Sequence, residues 1–315
     1  MASTSILCCF LLFVSLFQFT SATGRKLNEL VQEEPPTPIQ YHNGPLLSGQ
    51  ISVNLIWYGN FKPAQRAIIT DFINSLYTTP PKTDHSPSVS TWWKKTEKYF
   101  NIPTSSMKPT SLVLKLGRQI TDEKYSMGKS LSNKKIVRLA SRGAQSNAVN
   151  VVLTSSDVTV DGFCSSRCGT HGSSYSTSKK TKYTYIWVGN SETQCPGHCA
   201  WPFKQPIHGP QDSPLVAPNS DIGLDGMVIN FASLLAATAT NPFGNGYYQG
   251  EVNAHFEVSS ACSGIYGKGA YPGYAGNLLI DSATGGSYNA NGANGRKYLL
   301  PALFDPSTST CSTLV

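Results

Sequence analysis

Residues 225–240 read DGMVINFASLLAATAT, the most apolar stretch of the chain beyond its first residues. Hydrophobic side chains fall on nearly all sides of a helical wheel, which predicts a helix in the middle of the fold. Asn241-Pro242 and Gly244-Asn245-Gly246 stop it. Its most apolar part, 227–239, is interrupted by Asn230, Ser233 and Thr238 and is shorter than the roughly 20 residues that a bilayer crossing needs. No membrane span is expected in the mature chain.

Upstream of this helix, strand and helix signals alternate. Ile51, Val53, Leu55 and Trp57 alternate with Ser52 and Asn54, so 51–58 is the first strand. Ile69, Phe72, Ile73 and Leu76 then share one helical face over 63–77, with Pro63 suited to the first turn. Val89, Trp92, Trp93, Thr96 and Tyr99 mark a second helix over 89–100, capped by Ser86 or Ser88. Aromatics at this spacing read as core rather than as a sugar-stacking surface. Short strands at 112–116, 149–153 and 183–188 and a helix at 131–140 complete the pattern. The expected class is α/β or layered α+β, a mixed sheet with helices, and not an all-β sandwich. Beyond Gly189 the chain turns loop-rich: 195–210 is dense in Pro, Gly and Cys, and 247–315 reads as short strands and turns.

At the other end, residues 1–22 carry an apolar run from Ile6 to Phe19, no charged side chain, and small residues at Ser21 and Ala22. This is the pattern of a secretory signal peptide cleaved after Ala22. Residues 23–40 are charged and proline-bearing, a flexible arm or pro-segment, and a single domain is expected over 41–315.

Export sets the reading of the cysteines. Cys8 and Cys9 leave with the signal, and Cys164, Cys168, Cys195, Cys199, Cys262 and Cys311 remain. Six in an oxidising compartment predict three disulfides among fifteen connectivities. Cys262 and Cys311 are expected to clip the tail to itself. The two C-x3-C pairs with His198 also suit a tetrahedral zinc shell, but oxidation competes for those thiols. No Asn-x-Ser/Thr sequon occurs, so no N-glycan is expected.

Charge is uneven. Residues 82–182 hold 17 Lys and Arg against 6 Asp and Glu, in a chain of net charge +7. For an exported protein this argues against nucleic acid, and leaves a solvated face that keeps the protein soluble as the plainer reading beside a carboxylate-rich matrix as counter-charge. Lys94, Lys95 and Lys98 are the binding candidates of this basic lobe.

Catalytic motifs are missing. The chain has no G-x-S-x-G elbow, no G-x-G-x-x-G, no phosphate loop and no H-E-x-x-H. Asp157, Asp161, Asp221, Asp225, Glu251 and Glu257 supply carboxylates without a motif, and the six histidines are scattered. No catalytic residue, metal ligand or cofactor is assigned.

Four stretches together carry a resemblance: Asn54-Leu-Ile-Trp-Tyr-Gly, CPGHCAWPF at 195–203, LDGMVINFASLLAATATNPFGNG at 224–246, and GKGAYPGYAG at 267–276 through NGRKYLLPALFDPSTSTCSTLV at 294–315. They resemble the plant EXORDIUM, or phosphate-induced, protein family over nearly the whole mature chain. The resemblance implies export to the apoplast or cell wall, a role in brassinosteroid-responsive growth and cell expansion, and no established catalysis or cofactor. A second resemblance concerns fold. The W-x-G strand end and the late helix look similar to zincin-like peptidases, whose helix carries H-E-x-x-E before T-D-P. Aligning Thr240-Asn241-Pro242 with that exit places Ser233, Leu234 and Ala237 where the metal-binding His, the catalytic Glu and the second acidic residue would stand. None of the three can ligate zinc or activate a water. The implied scaffold is zincin-like without its metal site.

The leading expectation is a secreted, disulfide-stapled protein that binds a wall polysaccharide or a receptor ectodomain and does not catalyse. The rival is a hydrolase acting on wall polymers or peptides through Asp221, Asp225 and His208, in the loop before the buried helix.

Overall fold

The computed structural model describes residues 39–78, 86–102, 111–143, 147–165, 167–176, 180–206, 212–250 and 256–315. The leader and most of the 23–40 arm lie outside them. The fold takes in Ile39, which is buried, and Gln40, which pairs with Tyr248, so order starts before Tyr41.

Five strands form the main sheet: β1 (Gly49–Tyr58), β2 (Leu112–Asp122), β3 (Ala148–Thr154), β4 (Gly169–Ser176) and β5 (Thr181–Gly189). Their order is β2-β1-β3-β5-β4. All are parallel except β4, which pairs antiparallel with β5 at the edge. The helices are α1 (Pro63–Ser75), α2 (Val89–Glu97), α3 (Asn133–Ala140), the single turn α4 (Pro196–Cys199) and α5 (Ile222–Thr240).

The two-residue period of β1 explains the layers. Val53, Leu55 and Trp57 join α1, α2 and α5 in one core, while Ile56 and Tyr58 join Ile136, Leu139 and Ala140 of α3 in the other. Asn54 sits between, buried and satisfied. Its Nδ2 donates to Gly143 O and Asn150 Oδ1, at 3.1 and 2.9 Å, and its Oδ1 accepts the Arg118 N–H at 2.9 Å. That last bond serves Arg118 where the β1–β2 register shifts between Val53 and Leu55.

β2 is longer than the 112–116 expected. Its second half, GRQITD, runs along the sheet edge largely exposed and has no apolar alternation to announce it. β4 was not expected at all, because GTHGSSYS is polar and Gly-rich. α5 starts earlier than 225, capped by Asp221, whose Oδ1 accepts the Leu224 N–H at 2.9 Å. Asp225 is therefore a first-turn residue. The added turn makes α5 long and apolar enough to cross a membrane by composition, but most of its length is buried in this fold. It packs on β4, β5, α1, α2 and α4.

The tail closes over α1 and α2. Trp92 Nε1 donates to Pro301 O at 2.8 Å, Tyr99 OH to Phe304 O at 2.6 Å, and Tyr298 OH to Ile68 O at 2.9 Å. Trp92 and Trp93 are buried, as core aromatics.

Candidate functional site

A cleft of about 880 Å3 runs along the exposed side of α5. Its floor is Asn230, Ser233, Leu234 and Ala237, which the helical repeat brings to one face. The three positions matched to the zincin exit thus lie together in the cleft, a hydroxyl beside two apolar groups. Asn230 Nδ2 ties the floor to Cys199 O and Gly226 O, both at 2.8 Å.

One wall is 167–169, leading into β4. Leu234 packs so closely here that a Cβ on Gly169 would lie 2.7 Å from its Cδ1 and 2.4 Å from Trp187 O. Two disulfides, Cys164–Cys195 and Cys168–Cys199, hold this wall. Cys195 and Cys199 are one helical turn apart at α4, so both sulfurs face the same segment. The third bridge is Cys262–Cys311, the clip expected for the tail. Cys168, His198 and Cys199 form a compact group of metal-ligating types, but its two sulfurs are bonded to each other and offer no thiolates.

Residues 257–273 supply the opposite wall. Glu257 is nearly buried and doubly held: Oε2 lies 2.7 Å from His171 Nε2 on β4, and Oε1 accepts Asn241 Nδ2 at 2.7 Å. Aromatics line the cleft as well. Trp201 and Tyr266 stand 5.6 Å apart, with the Tyr266 hydroxyl pushed well above the ordinary phenol range by burial. Tyr271 is 59% exposed.

A second hollow, of about 770 Å3, lies past the carboxyl ends of the parallel strands, where the chain passes from β2 on one side of β1 to β3 on the other. Lys62, Gln65, Glu123, Glu192, Lys204 and Asp221 line it. Asp221 and Asp225, candidates for the hydrolytic reading, are both committed. Asp221 caps α5 and accepts Gln65 Nε2 at 2.9 Å, while Asp225 accepts the Asn219 backbone N–H and Nδ2 at 2.9 and 2.6 Å. Burial pushes the Asp225 carboxyl up to about 7. His208 lies outside the described residues.

Of the basic-lobe candidates, Lys94 is exposed. Lys95 donates to Ser312 Oγ and Thr313 O at 2.8 and 2.6 Å, and burial lowers its ammonium to about 8. Lys98 pairs with Asp305. Lys115, Arg118, Lys134 and Arg138 on β2 and α3 are exposed. Sequence reasoning missed Arg167, Trp201 and Tyr271, whose one signal was the Gly- and Pro-rich setting of a functional loop.

Among solved structures, none matches this chain. Among characterised sequences the agreement is extensive. Protein PHOSPHATE-INDUCED 1 of Nicotiana tabacum is 67% identical, covering 93% of both chains. Protein EXORDIUM of Arabidopsis thaliana is 65% identical over 96% of this chain and 97% of its own. Protein EXORDIUM-like 6 of Arabidopsis thaliana is 33% identical over 90% and 92%. With residues 39–314 matching the family described as phosphate-induced protein 1 conserved region, the chain belongs to the phosphate-induced, or EXORDIUM, family.

Proposed function

We propose that this chain is a secreted protein of the plant apoplast and cell wall, which serves brassinosteroid-dependent growth and cell expansion by binding and not by catalysis. The cleft along α5 is its binding site, and a wall polysaccharide or a receptor ectodomain is its partner. One observation carries the reading: the cleft floor presents Ser233, Leu234 and Ala237, a surface suited to contact and devoid of acid, base or ligand. Membership of the family supports a growth-related plant protein, and the leader supports export. The exposed cations of β2 and α3, with Lys94, add a counter-charge for a carboxylate-rich wall.

The zincin-like scaffold belongs to the same proposal. It is supported by a parallel sheet ending in one antiparallel edge strand, with a long apolar helix laid against that edge and a cleft between them. In this reading the helix kept its place and lost its metal chemistry.

The test is retention of the mature protein on isolated wall material and on receptor ectodomains, with Ser233→Phe filling the cleft. Retention reduced about tenfold in a folded variant is expected. Unchanged retention overturns the cleft. Release of reducing ends or peptides by the unmodified protein overturns the non-catalytic reading in favour of the hydrolytic one.

A further inference from the structure

We infer that the cleft along α5 takes a carboxylate-bearing oligosaccharide, stacked on Tyr271 and read by Arg167. This rests on the cleft being the binding site and names its ligand class. Four aromatic side chains are exposed among the described residues, and the most exposed of them, Tyr271, lines the cleft.

Tyr271 is set in place before any ligand arrives. Its backbone exchanges two hydrogen bonds with Tyr274, at 3.1 and 2.8 Å, across the turn that Gly273 makes at φ +94°. The two rings lie 5.0 Å apart, and the Tyr274 hydroxyl is anchored on Asn277 Oδ1 at 2.7 Å. A rigid, exposed ring at a cleft mouth suits the apolar face of a sugar, and contact with it orders little of the protein. The hydroxyls of Ser233 and Ser263 and the amide of Asn230 line the same cleft and suit the sugar's polar edge.

Charge selects the acid. Among the described residues that line the cleft, the charged ones are Arg167 and Glu257, beside His198. Glu257 is answered by His171 and Asn241. The Arg167 Nη2 donates to Asp161 O at 3.1 Å, and its Nε–H, itself buried, meets no acceptor among the described residues. A guanidinium with donors in reserve is matched by a planar carboxylate. A volume of about 880 Å3 holds several sugar rings.

Calorimetry on the mature, disulfide-bonded protein tests this with three probes: a hexameric uronic acid, its methyl ester, and a neutral β-1,4-glucan hexamer. The acid is expected to bind about tenfold or more tightly than its ester. Arg167→Gln should bring the acid to the level of the ester, while Arg167→Lys keeps part of the preference. Tyr271→Ala, on an exposed turn, should weaken acid and ester alike. Equal binding of acid and ester overturns the inference and leaves the cleft a glycan site. Failure of all three to bind, with retention on wall material still sensitive to Ser233→Phe, also overturns it and leaves the proposed function standing. An acid preference unchanged in folded Arg167→Gln overturns the assignment to this cleft.

Discussion

The imidazole of His171 on β4 and the carboxylate of Glu257 meet at 2.7 Å, although 86 residues separate them. Both side chains are close to buried, at 12% and 10% exposure, so the pair joins the edge of the sheet to the far wall of the cleft. Removing one partner leaves the other without its bond in a poorly solvated place. His171→Ala should lower unfolding free energy by about 1–3 kcal/mol. A cycle with Glu257→Gln should show a coupling above about 0.5 kcal/mol, which denaturant titration can resolve. Additive effects would mean that the contact contributes nothing of its own.

Gly169 lies where β4 presses against α5. A methyl group there would press on Trp187 O and on Leu234 at once, and the backbone carbonyl cannot yield as a flexible side chain can. Gly169→Ala should cost about 1–3 kcal/mol, by displacing the strand from the helix. Leu234→Ala in the same chain should recover part of that loss by vacating one of the two clashes. Melting curves of the single and double variants decide it.

How much of this could be read in the chain depends on which physical signal each element leaves. α5, β1, α1 and α2 bury regular faces, and their periodicity survives in the sequence. β4 leaves no such trace. It pairs on one side only, and its polar residues are half-exposed, so no alternation is imposed. Of the cleft floor, Ser233, Leu234 and Ala237 stand out in the sequence only through the resemblance to the zincin exit, and Asn230 leaves no sign. The cleft walls were not legible, since Arg167, Glu257 and Tyr271 come from separate segments brought together by tertiary contact. The clip of Cys262 to Cys311 followed from their isolation in the tail. The other two bridges could close in several ways until α4 placed Cys195 and Cys199 on one side.

The three bridges should not be equal in effect. Cys262–Cys311 spans 49 residues and anchors the tail that covers α2, so C262S/C311S should cost about 2–4 kcal/mol and expose that helix. Hydrogen exchange should report faster exchange in 89–97 than in α5. Breaking Cys164–Cys195 alone leaves Cys168–Cys199 to hold the same wall, so C164S/C195S should cost less. The reverse order would mean that the tail is held chiefly by its hydrogen bonds.

Lys94, Lys95 and Lys98 should separate by what they touch. Lys94→Gln, at an exposed site, should leave stability within about 0.5 kcal/mol of the parent. Lys95→Gln removes donors to Ser312 and Thr313, and Lys98→Gln removes the partner of the nearly buried Asp305. Both should lower the melting temperature. If Lys94→Gln alone reduces retention on wall material, the exposed cation acts in binding, while the other two act in folding.

Asp225 makes a prediction about pH. Its carboxyl titrates near 7 in the fold against an ordinary value of 3.8, because burial outweighs the bonds from Asn219. The folded state then holds a proton between about pH 4 and 7 that the unfolded chain has released, so stability is full at the acid end and falls as pH rises through 7. Asp157 acts in the opposite sense. Desolvation works against its charge, yet its bonds to Lys129, Ser155 and Tyr125 bring it to about 2, and stability is lost as pH drops from 4 towards 2. The sum of these two contributions is greatest near pH 4. Denaturant midpoints measured from pH 4 to 7 should fall in the parent and stay level in Asp225→Asn, whose amide cannot ionise. A parent midpoint that stays as level as that of Asp225→Asn over that interval would show that Asp225 is ionised throughout, with the bonds from Asn219 outweighing burial.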